Sequence, residues 1–196
     1  MVHNRPTLVI DILPDYLGKV YEESIVKENL LSKVKVGPFT YIQDDGLDNR
    51  KAAFECMYTL LENCLPYIHV TDFITHLVRG LEDSSPDIKS LCHIMLEHLA
   101  KSSGGSLVQM LDSVVEPLRQ TLTTKPKDSA VKQDKERYEE LVRSTLRAVL
   151  AISKIPNVDS STKFTEFLAT TVTTGEMAEK YTALQESQQN DTMETV

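Results

Sequence analysis

Apolar residues recur along most of this chain at the spacing of one helix face. In five segments they follow the offsets 0, 3, 4, 7, 8 and 11, with Thr145 as the one polar substitution. A stripe of this width is the core-facing side of an amphipathic α-helix. The five segments are residues 9–20, 70–81, 88–99, 107–118 and 138–149, with a tighter stripe at 52–61 and weaker ones at 164–172 and 177–184. The pattern predicts an all-α protein.

The predicted helices fall into pairs, which are separated by short breaks. The second helix of a pair opens with a basic residue, at Arg50, Lys89 and Arg143. Arg50 and Lys89 are 39 positions apart, a period close to that of HEAT repeats, and a polar loop over residues 123–134 accounts for the longer spacing to Arg143. We therefore predict an α-solenoid of stacked HEAT-type helix pairs. The alternative is an ordinary helical bundle, since the same offsets also arise there.

One segment departs from the helical spacing. Between residues 31 and 45, apolar and polar residues alternate around Gly37-Pro38, as they do in a β-hairpin with a central turn. Two turns fit this pattern, Gly37-Pro38 or Pro38-Phe39, and they give different strand registers. The first would place four apolar side chains on one face: Val34, Val36, Phe39 and Tyr41.

A two-stranded hairpin is only marginally stable in water by itself. This one is therefore either a loop packed on the helices or an exposed element that binds a partner. In the second interpretation the apolar side chains are binding anchors, above all Val36, Phe39 and Tyr41. The candidate protein-binding residues are Val34, Val36, Gly37, Pro38, Phe39, Thr40, Tyr41 and Ile42.

Charge and cysteine content narrow the class of partner and the compartment. The formal net charge is -8, which disfavours binding to nucleic acid or to an anionic membrane surface. Three cysteines, Cys56, Cys64 and Cys92, do not make a disulfide framework, and the first residues lack the apolar stretch of a signal peptide. We expect a cytoplasmic and nuclear protein.

No catalytic or metal-binding pattern is recognisable in the sequence. His69 and His76 are seven positions apart on one helix face, but no cysteine or carboxylate completes a tetrahedral set there. A nucleophile elbow, a phosphate-binding loop and a dinucleotide fingerprint are all missing. The sequence therefore predicts no enzyme activity, no cofactor and no small-molecule substrate. Residues 185–196 are polar and aperiodic, so we expect a disordered tail after a domain over 1–184.

Several runs of residues resemble a known family. They begin at the hairpin turn, Val36-Gly37-Pro38-Phe39, and continue with Asp44-Asp45-Gly46-Leu47-Asp48 and with the twelve residues from Arg50 to Leu61. Shorter matches follow in the same order, at Val115 to Arg119 and at Arg143-Ser144. Together they are similar to the C-terminal region of the cullin-associated and neddylation-dissociated family, over about residues 6 to 185.

The resemblance implies a function as well as a fold. The family forms a long HEAT superhelix around a cullin and its RING subunit, and its C-terminal repeats hold the cullin's N-terminal domain. A hairpin, by resemblance residues 33–43 here, occupies the surface where the substrate adaptor docks. The implied role is regulation of adaptor exchange on cullin-RING ubiquitin ligases. Because this chain lacks the N-terminal repeats of the family, we expect a fragment that keeps adaptor-site binding. The alternative is a general HEAT scaffold of the transport-receptor or phosphatase-subunit kind.

Overall fold

The structure, a computed structural model, describes residues 9–127 and 129–194; the side chains of Val36, Phe39 and residues 189–194 lie outside the description. The helices are α1 (Leu13–Glu23), α2 (Leu47–Cys64), α3 (Val70–Leu81), α4 (Pro86–Ser102), α5 (Gly104–Thr123), α6 (Lys132–Ser153), α7 (Thr162–Phe167) and α8 (Gly175–Glu194). A π-helical turn, Leu168–Val172, continues α7. The strands are β1 (Leu31–Val36) and β2 (Phe39–Asp44). The predicted all-α class with one inserted β-hairpin is confirmed.

The helices pack in the order expected of consecutive pairs. Within pairs, α1 contacts α2, α3 contacts α4, and α5 contacts α6. The even-numbered helices also contact one another in the series α2–α4–α6–α8, and α5 contacts both α3 and α7. Two layers of helices therefore share one apolar core. The polar connection between α5 and α6 spans residues 124–131, so it is slightly shorter than predicted.

The core contains the apolar stripes recognised in the sequence. In α3 the fully buried side chains are those at offsets 3, 4, 7 and 11, namely Phe73, Ile74, Leu77 and Leu81. The stripes of α4, α5 and α6 are buried in the same way. In α2 the largest buried apolar side chain is Phe54, which lies between residues 52 and 61 but is not one of the stripe residues predicted there. The buried members of that stripe are Ala53, Met57, Leu60 and Leu61. Local periodicity thus placed most of the core in these helices, including α2, but it did not identify Phe54.

Three helices approach one another closely at Gly80, in the last turn of α3. A β-carbon at this position would lie 2.5 Å from Cys92 Sγ of α4 and 2.5 Å from ring carbons of Phe54 of α2. Carbon atoms that are not bonded do not approach so closely, because contact begins at about 3.5 Å. Only glycine therefore fits at this crossing.

The C-terminal segment differs from the sequence prediction. Disorder is predicted over residues 185–196, whereas α8 is helical through Glu194, and residues 195 and 196 lie outside the described part of the chain. Two buried side chains, Met177 and Tyr181, hold the first turns of α8 on the body. Lys154 Nζ then donates a hydrogen bond to Gln188 Oε1 at 2.5 Å. Gln185, Glu186 and Gln188, which precede or make this contact, are good helix formers and support the helix without an apolar stripe. The domain boundary at residue 184 stays a prediction.

Candidate protein-binding site

The hairpin between α1 and α2 has a single well-defined register. Its strands are antiparallel, with Leu31 opposite Asp44 at the base and Val36 opposite Phe39 at the tip. This pairing leaves Gly37-Pro38 as a two-residue turn, the first of the two alternatives that the sequence leaves open. Gly37 has φ 61°, and the proline ring fixes the next φ near about -65°. A glycine with positive φ at the first central position is the pattern of a type II′ turn, whose twist matches that of the paired strands.

This register sorts the side chains onto two faces of different character. Residues directly opposite each other in an antiparallel pair lie on the same face. The apolar face carries the cross-strand pair Val34–Tyr41, and the backbone positions of Val36 and Phe39 pair two residues nearer the tip. The basic face carries the cross-strand pairs Lys33–Ile42 and Lys35–Thr40. The eight candidate residues therefore do not form one surface, because Thr40 and Ile42 lie on the basic face, away from the predicted anchors.

The hairpin stands clear of the helices except at its base. Every side chain described between Leu31 and Gln43 is exposed, and Tyr41 and Ile42 keep 56% and 69% of their surface. The side chains of Val36 and Phe39, two of the predicted anchors, lie outside the described part of the chain. A loop packed on helices would bury its large apolar side chains. The geometry therefore favours an exposed element over a packed loop.

One buried arginine joins the base of the hairpin to the helices. Arg50, in the first turns of α2, is only 1% exposed. Its Nη2 lies 2.8 Å from Asp44 Oδ2 at the end of β2, and its Nε lies 2.9 Å from Asp83 Oδ2 after α3. Asp83 also accepts a hydrogen bond from the backbone N–H of Ser85, at 2.8 Å. A single side chain thus connects the hairpin, α2 and the α3–α4 loop.

The charges of this cluster stabilise one another. Burial by itself would lower the pKa of Arg50, but the hydrogen bonds to Asp44 and Asp83 outweigh burial and raise that pKa. The hydrogen bond from Arg50 in turn holds the pKa of Asp44 below its usual range. Asp44 and Arg50 therefore stay ionised at neutral pH, and the base of the hairpin remains attached there.

The repeat spacing marks Arg50 only as the start of a second helix and does not reveal this contact. A physical signal for it was present. The first turn of a helix carries a partial positive charge, so a cation there is unfavourable unless acidic partners compensate it. Asp44 precedes Arg50 by six positions, but Asp83 follows it by 33 positions. The sequence therefore contains a signal for the nearby partner, Asp44. The second partner, Asp83, is brought to Arg50 only by the tertiary fold.

A groove with a volume of about 650 Å³ lies beside the base of the hairpin. The loop after α1 contributes Ile25 and Val26, and the hairpin contributes Leu31 and Ile42. The end of α3 and the loop after it line the groove with Arg79, Glu82, Asp83 and Ser84. These side chains come from three separate parts of the sequence, so no local pattern predicts the groove.

The described part of the chain offers neither a metal-binding cluster nor a membrane-spanning helix. Over residues 9–127 and 129–194, His, Cys, Asp and Glu side chains form no group of three that could hold a metal ion. No helix in the same ranges has the length and hydrophobicity needed to cross a membrane.

Comparison with known proteins supports the resemblance seen in the motifs. Residues 8–172 match the model of a family described as TATA-binding protein interacting (TIP20). Over 184 residues, 94% of this chain, the sequence is 45% identical to cullin-associated NEDD8-dissociated protein 1 of Dictyostelium discoideum. The chain belongs to the cullin-associated NEDD8-dissociated protein family. Within that family it is also similar to cullin-associated NEDD8-dissociated protein 2 of Mus musculus, with 44% identity over 191 residues, 97% of the chain.

The chain spans only a small part of its relatives in this cullin-associated family. It covers 15% of the Dictyostelium protein and 15% of the mouse protein. A relative from Emericella nidulans, 31% identical over 81% of this chain, is named as a C-terminal part, and the chain covers 15% of it. The similarity therefore concerns one segment of much longer proteins.

Proposed function

We propose that this chain is a cullin-binding module that regulates assembly and substrate-adaptor exchange of cullin-RING ubiquitin ligases. In this proposal the hairpin occupies the adaptor site on the cullin's N-terminal domain, and the chain has no enzyme activity of its own. The relatives' names, cullin-associated and NEDD8-dissociated, support the class of partner. It acts in the cytoplasm and the nucleus, without nucleic acid, membrane or small-molecule partners.

The observation that carries the proposal is the form of the hairpin. It presents exposed apolar side chains on a short, regular element, while Arg50 holds its base rigidly in the helical body. A rigid element loses little conformational entropy on binding, and aromatic anchors bury much area for few rotatable bonds. Such an element is suited to competing with another protein for one surface.

The fold proposed for the remainder is a HEAT solenoid. The layered contacts of α2, α4, α6 and α8 support stacked pairs, because each helix meets the helix two places along the chain. A general HEAT scaffold would have no use for an exposed hairpin within its first pair. The hairpin therefore separates the proposed function from the alternative of a transport-receptor or phosphatase-subunit scaffold.

Binding to separate cullin domains tests the proposal. The chain should bind the N-terminal domain of a cullin, should not bind its C-terminal domain, and should be displaced by the substrate adaptor. Val34→Ser combined with Tyr41→Ala should weaken this binding by about 2–4 kcal/mol, as truncation of interface anchors commonly does. Its thermal midpoint should be unchanged, because both side chains are exposed.

Tyr67→Ala is the matched control for the aromatic ring. Tyr67 is 58% exposed, close to the 56% of Tyr41, but follows the far end of α2. The Tyr67→Ala variant should bind the cullin as tightly as the parent does. Equal binding by the hairpin variant and the parent, with both folded, would contradict the role of the hairpin.

A further inference from the structure

The groove beside the hairpin has the character of a binding surface rather than of a packing gap. Its apolar side chains keep a large fraction of their surface: Ile25 40%, Val26 44%, Leu31 37% and Ile42 69%. Exposed aliphatic side chains scattered singly are normal, but a cluster of four around one concave surface typically marks an interaction site. These four come from two segments that the fold brings together.

Cations surround this apolar cluster. Lys33 lies opposite Ile42 on the basic face of the hairpin, Lys35 is one pair nearer the tip, and Arg79 lines the groove from α3. All three are exposed, and no carboxylate in residues 9–127 and 129–194 lies within ion-pair distance of any of them. The apolar cluster is therefore bordered by cations that are available to a ligand.

The carboxylates of the groove do not cancel these cations. Asp83 lines the groove, as does Asp44, but both are engaged by the buried guanidinium of Arg50. Glu82 is the one exposed carboxylate among the described lining residues. With Arg50 counted, the basic face and the groove carry four cations against three carboxylates, an excess of one positive charge, which complements an acidic ligand.

The groove is also continuous with the hairpin. Ile42 belongs to the basic face and to the groove lining, so a ligand on that face extends into the groove without crossing a gap. Because Arg50 ties Asp44 of β2 to Asp83 of the α3–α4 loop, the two sides of the groove are held in place before a ligand arrives.

We propose that the basic face of the hairpin and this groove form a second docking surface, which takes an aliphatic side chain flanked by carboxylates on the same cullin N-terminal domain. The inference rests on the proposed function, because it assumes that this domain holds the hairpin. The aliphatic side chain enters between Ile25, Val26 and Leu31. The flanking carboxylates pair with Lys33, Lys35 and Arg79.

Two double variants test the two parts of the surface, with the cullin N-terminal domain as the probe. Ile25→Ser with Val26→Ser removes apolar lining, and Lys33→Glu with Arg79→Glu reverses two charges. Each should weaken binding at least about tenfold, as loss of interface anchors does. The charge variant should in addition make the affinity less dependent on salt, since fewer ion pairs form across the interface.

Matched controls carry the same chemical changes elsewhere. Ile12→Ser with Ile94→Ser alters two aliphatic residues that are 56% and 45% exposed, and Lys19→Glu with Lys101→Glu makes the same change in net charge at two exposed lysines. Both controls should bind within about twofold of the parent, because exposed substitutions outside an interface contribute little. Circular dichroism on every variant reports folding. If the Ile25/Val26 variant melts early, Ile42→Ser replaces it.

The outcomes separate this inference from the proposed function. If the Val34/Tyr41 variant loses binding while both groove variants bind like the parent, the second surface is overturned and the proposed function stands. If the parent does not bind the cullin N-terminal domain, both are overturned. Sedimentation that shows a dimer of the parent and a monomer of the groove variant would assign the groove to a second copy of this chain, which also overturns the inference.

Discussion

The helical body, α1 to α8, and the hairpin are held in place by opposite means. In the body every helix from α2 to α6 buries a stripe of apolar side chains, and many of these have no exposed surface. In the hairpin every described side chain from Leu31 to Gln43 is exposed. The hairpin depends on its own strand pairing and on one buried cation, Arg50, at its base.

This difference indicates how each region tolerates change. The body distributes its stability over many similar apolar contacts, so the pattern of these contacts is visible in the sequence. The stability of the body should therefore fall in proportion to the contacts that a substitution removes. The hairpin leaves its surface free for a partner, and its position depends on a single ion cluster. Stability and binding are therefore separable here, and substitutions in the two regions should have different consequences.

Leu77→Asp should have the largest effect on stability. Leu77 is completely buried in the middle of α3, so the change removes apolar burial and introduces a carboxylate without a partner. The expected loss is about 5 kcal/mol or more, which is the whole free energy of unfolding of a marginally stable domain. Ile94→Asp, at a 45% exposed position of α4, is the control and should remain folded. An unchanged thermal midpoint for Leu77→Asp would contradict the core described for α3.

Arg50→Met should be the next most severe, and it should affect both regions. Methionine keeps much of the side-chain volume but leaves Asp83, which is almost fully buried, without its cation. Breaking a buried pair in this way costs about 3–5 kcal/mol. Hydrogen exchange should in addition show the hairpin amides opening before those of α3. Equal protection of the hairpin in the variant and the parent would show that the strands do not depend on Arg50.

Gly80→Ala should destabilise the body by about 1–3 kcal/mol, the usual cost of overpacking a well-packed core. The added methyl group would meet Phe54 and Cys92 at 2.5 Å. Gly18→Ala provides the control, because a β-carbon there has no neighbour within 4 Å. At this exposed position of α1 the same change should be neutral or stabilising. Similar denaturation midpoints for the two variants would refute the close crossing at Gly80.

Acid should lower the stability of the helical body through His93. The loss of stability should be smaller near neutral pH than at lower pH. Burial, followed by the nearby charge of Lys89, lowers the pKa of His93 to about 3, and its ring contacts Ser144 Oγ at 2.8 Å. The unfolded chain binds a proton near the ordinary pKa of 6.5, so the unfolded state gains protons first. Stability should fall by about 1 kcal/mol between about pH 7 and about pH 5.5, and further toward pH 3. His93→Asn should show a shallower pH dependence in denaturant titrations; an identical slope would contradict burial of a neutral ring.

Ile42→Ser should have the smallest effect on stability, within about 0.5 kcal/mol, as at most exposed positions. Ile42 is 69% exposed on the basic face of the hairpin. The same variant should weaken cullin binding if the second docking surface is correct. A large drop in the thermal midpoint would show that the basic face packs on the body, and it would remove the contrast between the two regions.

The sequence by itself determined the helical class, the core stripes and the presence of a hairpin. These follow from periodicity, because backbone geometry places residues at helical or alternating spacing on one face whatever lies opposite. Most of α3 to α6 could therefore be assigned position by position. The hairpin was located in the same way, since all eight candidate residues lie within or between β1 and β2; their role in binding stays a prediction.

Only the tertiary structure decided how these elements meet. It selected the Gly37-Pro38 register and thereby divided the candidate residues between two faces. It also brought Asp83 to Arg50 across 33 positions, placed Gly80 at a crossing of three helices and extended α8 beyond its apolar residues. Such contacts join residues far apart in the chain, and their partners follow from the packing of whole helices. A periodic pattern records which face is buried, but it carries no information about which residue of another element lies against it.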